Sequence, residues 1–518
     1  MQTSTSKKPL LRISNLKQYF PLKKKGLFVK ANDGITLDIY EGETLGLVGE
    51  SGCGKSTLGR TLLQLYRQTD GRTMYYGRTL DDIAPKYVGK TYANLAKHIH
   101  QLHNLEAKRD ALQQAVDTLE DGPAKYAKMD EAEHARKEAN DAFLDIVNLI
   151  GGFVKVEDIR PVAEVFIKAY KASVAKRKLE IRMAGVQLKL EDAKFALEQR
   201  QKEEKSTSGA ENAVKRAQAA VDHMQQKIDD AQAVLDGVHA EIDEMRKPYA
   251  EDEEFQRLEQ YRDDGVDLAR LKYDEIRHLR ADLQMIFQDP YSSLNPRMTV
   301  GQIISEGMKA HKMFKKSDDR LQQAVIKVME DAGLQAYFIH RYPHQFSGGQ
   351  RQRIGIARSL AVNPKFVVCD EAVSALDVSI QSQIINLLKD LKEQQNLTYL
   401  FITHDLSVVK YISDRIGVMY LGNMVELASS KDLFAKPLHP YTEALMNAIP
   451  TTDMDTGREI QVLEGDIPSP VRPPKGCKFH TRCKYATEIC KHMVPAWEEI
   501  EPDHFVACHH YLGKEEEK

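Results

Sequence analysis

Apolar positions along this chain follow two rhythms. Short unbroken runs, Leu45–Val48 and Phe366–Cys369, mark strands buried on both faces, and a further strand ends at His404. Helical spacing follows the first run over Ser56–Leu65. It recurs at length where Leu179, Met183, Val186, Leu190, Ala193 and Leu197 step by three and four, as do Val214, Ala217, Val221, Met224, Ile228, Ala231, Leu235, Val238, Ile242 and Met245. Lys205–Gly209 between the two sets reads as a turn, which predicts an antiparallel helical hairpin reaching about 45 to 50 Å. A weaker pair runs through Leu95, Ile99, Leu102, Leu112, Val116 and Leu119 to a turn at Asp121-Gly122-Pro123, then a helix toward Ile150. Gly151, Gly152 and Pro161 interrupt it. Seam residues as small as Ala193, Ala217 and Ala231 allow close approach but bury little, so the hairpin should have little stability of its own.

Chemistry enters at Gly49-Glu50-Ser51-Gly52-Cys53-Gly54-Lys55-Ser56, followed by Thr57, between the first strand and its helix. Glycines let backbone N–H groups crowd around phosphate oxygens, and the helix start adds its positive dipole end. Lys55 then serves β/γ oxygens and Ser56 a Mg²⁺ ion. A bare strand-turn-helix is the plain alternative, and what lies downstream weighs against it.

Four more elements appear in order: Gln288 within Ile286–Pro290, Phe346-Ser347-Gly348-Gly349-Gln350, Asp370-Glu371 followed by Ser374–Asp377, and His404. Each has a bland reading alone: a loop glutamine, a helix cap, a solvated strand end, a satisfied histidine. Their succession resembles the nucleotide-binding subunit of an ABC transporter. The segments Val48–Leu65, Met285–Val300, Cys369–Leu388 and Leu438–Thr442 resemble the oligopeptide/dipeptide importer branch, nearest its F-type ATPase subunit. The resemblance covers residues 10 to 86 and 273 to 510. Ala372 departs from it, since proline commonly follows the glutamate in that branch; only loop stiffness should change.

The resemblance implies the roles. Asp370 and Gln288 join Ser56 around Mg²⁺, Glu371 is the general base on the attacking water, and His404 contacts the γ-phosphate. Ser347, Gly348, Gly349 and Gln350 close over ATP held by a partner domain, so two such domains sandwich two nucleotides, with Asp377 in the dimer communication segment. An early aromatic stacks on adenine; Tyr19 and Phe20 both fit by position.

Cys477, Cys483, Cys490 and Cys508 fall near the C-terminus of a chain with six cysteines, separated by five, six and seventeen residues. No secretory signal accompanies them, which disfavours disulfides, and no Cys-x-x-Cys knuckle marks a zinc site. The spacing resembles the motif of peptide-importer ATPases that holds a [4Fe-4S] cluster; zinc and unligated thiols are the alternatives, and His480, His504, His509 and His510 are spare ligands. Cys53 and Cys369 read as a variable loop position and a buried strand residue.

About 230 residues separate the phosphate loop from Gln288, far more than the head requires, so the helical stretch reads as an insertion. The expected plan is an α/β head begun over 1–86, a coiled-coil insertion over 87–272, the rest of the head with a helical signature subdomain over 273–448, and a cysteine-rich extension over 449–518. DNA-acting ATPases with a coiled coil also split such a head, but theirs leaves after the glutamine loop. A translation-associated ATPase would carry two sets of motifs where this chain has one. The net charge of −3 and mean hydropathy of −0.47 invite neither nucleic acid nor a membrane span, and Lys23-Lys24-Lys25 is a short run of the kind usually solvated. The expected protein is a peripheral ATPase on the cytoplasmic membrane face. Its partners would be a second ATPase subunit, a paralogue by preference, two permeases and an extracytoplasmic peptide-binding protein. Nickel or another small solute is the alternative cargo.

Overall fold

The computed structural model describes residues 8–24, 26–119, 123–314, 319–447 and 465–513. Asp121 and Gly122 of the expected first turn, Lys25 of the lysine run and the start of the C-terminal extension lie outside them. The chain forms two compact units, one of Met1–Gly77, Asp267–Ala269 and Ile276–Lys518, the other of Arg78–Val266 and Arg270–Glu275.

In the first unit β1 (Pro9–Pro21) pairs antiparallel with β2 (Phe28–Tyr40) and with β4 (Asp70–Tyr75). The phosphate-loop strand β3 (Thr44–Val48) belongs to a larger sheet. A two-residue strand, β5 (Val266–Asp267), falls where the sequence returns from the insertion. The larger sheet holds β6 (Leu283–Ile286), β7 (Phe366–Asp370), β8 (Thr398–Ile402), β9 (Arg415–Tyr420), β10 (Asn423–Ser429), β11 (Glu498–Glu501) and β12 (His504–Val506). Its order is β11-β12-β10-β9-β3-β8-β7-β6, parallel from β9 through β6 and antiparallel from β10 outward. Every residue of β3, β7, β8 and β9 is buried, as the unbroken apolar runs require of strands covered on both faces. β12 joins the cassette by pairing with β10, so the cysteine-rich extension lengthens the sheet.

Helices Val300–Ala310, Asp319–Asp331 and Gly348–Leu360 pack Ile303, Ile304, Val325, Met329 and Ile354 into their own small core. This is the helical subdomain. Thr299 caps the first helix in a reciprocal pair with Gln302, which fixes where it starts.

The second unit is helical. Leu95–Asp117 is followed by Pro123–Ile150, and Arg160–Lys202 by Ser208–Arg246. Lys168 near the start of one long helix pairs with Glu241 near the end of the next, 3.1 Å apart, so these two run antiparallel. At 1.5 Å per residue the longer is about 65 Å, because it begins at Arg160 with Pro161 in its first turn, where proline costs nothing. The turn is also shorter than the composition suggested: Ser208 and Gly209 are already helical. Burial is uneven along the pair, with Met183, Leu190 and, at the turn end, Ala210 covered. Leu235 and Ile242 are fully covered, whereas Val214, Ala217 and Val221 are only half-covered. The unit's real core is aromatic, with Phe153 edge-on to Phe166 and Phe255, and Gly152 has no alternative because a Cβ there would lie 2.5 Å from the Phe255 ring.

Candidate functional site

Val48, Ile286, Asp370 and Ile402 end four parallel strands on one side of the sheet, so the residues that follow them gather at the carboxyl edge, where ligands of such sheets bind. Gly49 has φ 145° and a Cβ there would stand 2.2 Å from the Met419 carbonyl oxygen; Gly54 has φ 103° and would strike the Ala31 carbonyl at 2.1 Å. No other residue fits either position. Lys55 is buried and donates to the carbonyls of Gly49, at 2.7 Å, and Glu50, at 3.2 Å, its ammonium held by the loop it serves. Ser51 and Gly52 are exposed at the loop crest, while Cys53 is buried with its Sγ 3.7 Å from the Lys55 ammonium and its thiol pushed up by burial.

Ser56 donates its hydroxyl to Asp370 at 2.6 Å, and Arg60 one helical turn later meets the other carboxylate oxygen at 3.2 Å. Asp370 is completely buried, so this pairing is what makes its charge tolerable. Arg60 was missed in the sequence, although its position four residues after Ser56 puts it on the same helix face. Thr57 caps nothing in the site; its carbonyl accepts from Thr61.

Glu371 adopts φ 47°, an uncommon value for a side chain of its size, with its N–H donating to the Ile402 carbonyl. Gln288 donates to one carboxylate oxygen and His404, 62% exposed, stands 3.6 Å from the other. Gln288 thus reaches the same edge as the Ser56–Asp370 pair through its contact with Glu371. Asp377 is exposed and starts the helix Val378–Gln395 without a side-chain cap.

The Ser347 hydroxyl accepts from Gln350 N–H while the Gln350 side chain accepts from Ser347 N–H, a complete capping box at the start of Gly348–Leu360. Gly349 has no room for a side chain, since a Cβ would be 2.5 Å from Ile380. Tyr19 donates its hydroxyl to Asp33, and burial together with that carboxylate pushes its phenol well up; Phe20 packs edge-on against Tyr66 at 5.2 Å.

All six cysteines are free thiols. Cys477, Cys483, Cys490 and Cys508 line one pocket with His480, His509 and His510. Burial pushes the Cys477 thiol up to about 11 and Cys508 up to about 12. His504 is elsewhere: its Nε2 is 2.8 Å from the buried Glu426 carboxylate, which also accepts the N–H groups of Leu438 and His439. Among the described residues, no three His, Cys, Asp or Glu side chains surround a single-ion position, and no helix is long and apolar enough to cross a membrane.

A phosphate loop, the Ser56–Asp370 pair and Glu371 flanked by Gln288 and His404, all at the end of one parallel sheet, form the arrangement of an ATP-binding cassette. The ABC transporter family model matches residues 32–154 and 255–374, and that of the oligopeptide/dipeptide transporter C-terminal region matches 425–490. The oligopeptide transport ATP-binding protein AppF of Bacillus subtilis is 52% identical over 252 residues, 48% of this chain and 75% of AppF. The chain belongs to the ABC transporter ATPases, in the oligopeptide/dipeptide branch. OppF of Salmonella typhimurium, an oligopeptide transport ATP-binding protein, is 53% identical over 45% of this chain and 70% of its own length. A putative peptide import ATP-binding protein of Brucella ovis is 54% identical over 47% and 77%. The dimeric structure of MJ0796, a bacterial ABC transporter cassette, is 16% identical, covers 81% of this chain and 98% of its own, and overlaps with a TM-score of 0.41, too loosely to carry an argument. The interruption of the family match, 155–254, spans the two long helices.

Proposed function

We propose that this chain powers an importer of oligopeptides or dipeptides, pairing with a second ATPase subunit on two membrane-spanning permeases fed by an extracytoplasmic peptide-binding protein. The observation that carries the reading is the gathering of Lys55, Ser56, Asp370, Glu371, Gln288 and His404 at one sheet edge, in a chain whose residues 425–490 match the peptide-transporter C-terminal region. ATP phosphates take the loop amides, and Lys55 leaves the Gly49 and Glu50 carbonyls for them. Ser56 and Asp370, with Gln288, would hold Mg²⁺, which would neutralise phosphate charge. Glu371 takes the proton of the attacking water while Gln288 fixes the orientation of its carboxylate and His404 reaches toward the γ-phosphate. Tyr19 or Phe20 stacks on adenine. Ser347–Gln350 close over the partner's ATP, and Asp377 lies in the seam between the two domains. ATP favours the closed pair and hydrolysis reopens it, a population shift passed to the permeases.

The four cysteines fit an iron–sulfur cluster by donor chemistry: four thiols turned to one pocket without a carboxylate among its lining residues. Cys477, Cys483, Cys490 and Cys508 would hold it, and it would cross-link the extension. The long helix pair is read as a coiled-coil insertion, with partner docking and a tolerated elaboration of the surface as its two candidate roles; deleting residues 90 to 270 separates them, since unchanged assembly and transport would favour elaboration.

Purification of the tagged chain from gently solubilised membranes should bring down two multi-spanning permeases and a second ATPase, with ATP hydrolysis stimulated by the loaded peptide-binding protein. A soluble assembly lacking permeases overturns the reading. Anaerobic purification should yield brown, iron-containing protein whose colour is lost in Cys483→Ser; stoichiometric zinc without iron rejects the cluster.

A further inference from the structure

The segment from Cys477 to Cys483 makes three consecutive attachments to the cassette, and two of them end on the nucleotide site. Arg482 grips the side chain of Glu50, the first variable residue of the phosphate loop, with Nη1 to Oε2 at 2.7 Å and Nη2 to Oε1 at 3.1 Å. The Arg482 side chain is 5% exposed and that of Glu50 23%, so the guanidinium is largely out of water while the carboxylate keeps one wet edge. Lys478 donates to Asp33 at 2.9 Å and to the Leu421 carbonyl at 3.1 Å, and Asp33 in turn accepts the hydroxyl of Tyr19. Between them Phe479 is buried against Tyr420 and Tyr441, with ring centroids 5.2 and 5.3 Å away. The Tyr441 hydroxyl accepts the backbone N–H of Glu50 at 2.9 Å, so this loop residue is held by its side chain and its main chain at once.

We infer that residues 477–483 brace the nucleotide site at both ends, with Arg482 acting as a positioning residue that sets the shape of the phosphate loop through Glu50. The inference rests on the reading of that loop as the ATP site. The loop must present its N–H groups to phosphate, and a carboxylate gripped at both oxygens by Arg482, with its own N–H held by Tyr441, narrows the set of shapes the loop can take while Lys55 exchanges the Gly49 and Glu50 carbonyls for phosphate oxygens. Arg482 neighbours Cys483, and Cys477 neighbours Lys478, so whatever ties the two thiols together also fixes both ends of the brace. The extension is then a part of the ATP site contributed from 432 residues away in sequence.

The test is a double-mutant cycle on the full-length chain, read as ATP affinity by calorimetry with Mg²⁺ present. Arg482→Met and Glu50→Gln should each weaken ATP binding about tenfold or more, the size expected for losing a charge-assisted pair. The double variant should bind no worse than either single one. KM for ATP should rise more than kcat falls, and Arg482→Lys, which keeps the charge but not the fork, should recover only part of the affinity. Additive effects, or Arg482→Met protein with a lowered Tm but unaltered ATP affinity, would reduce the pair to a structural staple and overturn the inference. Should Arg482→Met fail to fold, the near-isosteric Glu50→Gln decides alone: unaltered affinity rejects the brace. Absence of ATP binding by the unaltered chain removes the nucleotide reading and the brace with it, whereas binding lost only in Lys55→Ala keeps the first and rejects the second.

Discussion

Gln288 Nε2 donates to Glu371 Oε2 at 2.6 Å, joining the end of β6 to the end of the neighbouring β7. The other Glu371 oxygen faces His404 at 3.6 Å. Both oxygens of Glu371, the proposed base, therefore face groups that follow other strands, and a shift of Gln288 is felt directly by the carboxylate. This is a short physical route between a loop that faces the permease in the proposed assembly and the atom that would take the proton.

Replacing Glu371 by Gln keeps the shape and the Gln288 contact but removes the proton acceptor. Phosphate release should fall about 10²- to 10⁴-fold, the usual worth of a positioned base, while ATP binding persists and closed dimers accumulate. Turnover within a few-fold of the parent protein rejects Glu371 as the base.

Ser347 is engaged in its own capping box, so Ser347→Ala should cost about 1 kcal/mol of helix stability. Its functional effect should appear in the partner's ATP site. In an assembly where only this chain carries the change, occluded nucleotide should be lost from the partner's phosphate loop and retained on Lys55. Loss confined to this chain's own ATP contradicts the shared site.

The candidate site residues were legible as a group because each sits on a local feature, a strand end, a glycine loop or a cap, that the sequence marks by itself. Ser56 and Asp370 are 314 residues apart, yet both could be placed because each follows a buried apolar run whose position in a parallel sheet is nearly forced. Arg482, Lys478 and Glu426 were not legible as partners of Glu50, Asp33 and His504. A lone arginine in a loop carries no periodicity, and only the fold of β12 onto β10 brings the extension under the phosphate loop. The insertion was half legible. Its seam repeats announce helices, but Phe153, Phe166 and Phe255 converge from separate segments, and that aromatic core has no single period to read.

Burial along the long helix pair predicts where it opens. Leu235→Ala, at a site 1% exposed, should cost about 2–5 kcal/mol, whereas Val221→Ala, half-covered, should cost under about 1. Hydrogen exchange should be faster around residues 195–225 than around 235–246. Uniform protection along both helices would mean that something else covers the turn end.

Burial lowers the His439 imidazole to about 4, against a smaller opposing pull from Glu426, and its Nδ1 accepts the Tyr441 N–H at 3.0 Å, so the folded ring is neutral. The unfolded ring protonates near 6.5. Below that pH the unfolded chain gains a proton the folded chain refuses, so stability present above about 6.5 is lost as pH falls toward 4, by up to about 1.4 kcal/mol per pH unit. Tm should drop between pH 6.5 and 5.5, above the range where carboxylates dominate, and His439→Gln should flatten the slope. The folded ring stays neutral throughout that window, so the Tyr441 N–H it accepts and the Tyr441 hydroxyl that receives the Glu50 N–H are left in place. ATP affinity of the folded parent protein should therefore not follow the Tm across the same window; an affinity loss that His439→Gln abolishes would show that the folded ring takes up the proton after all.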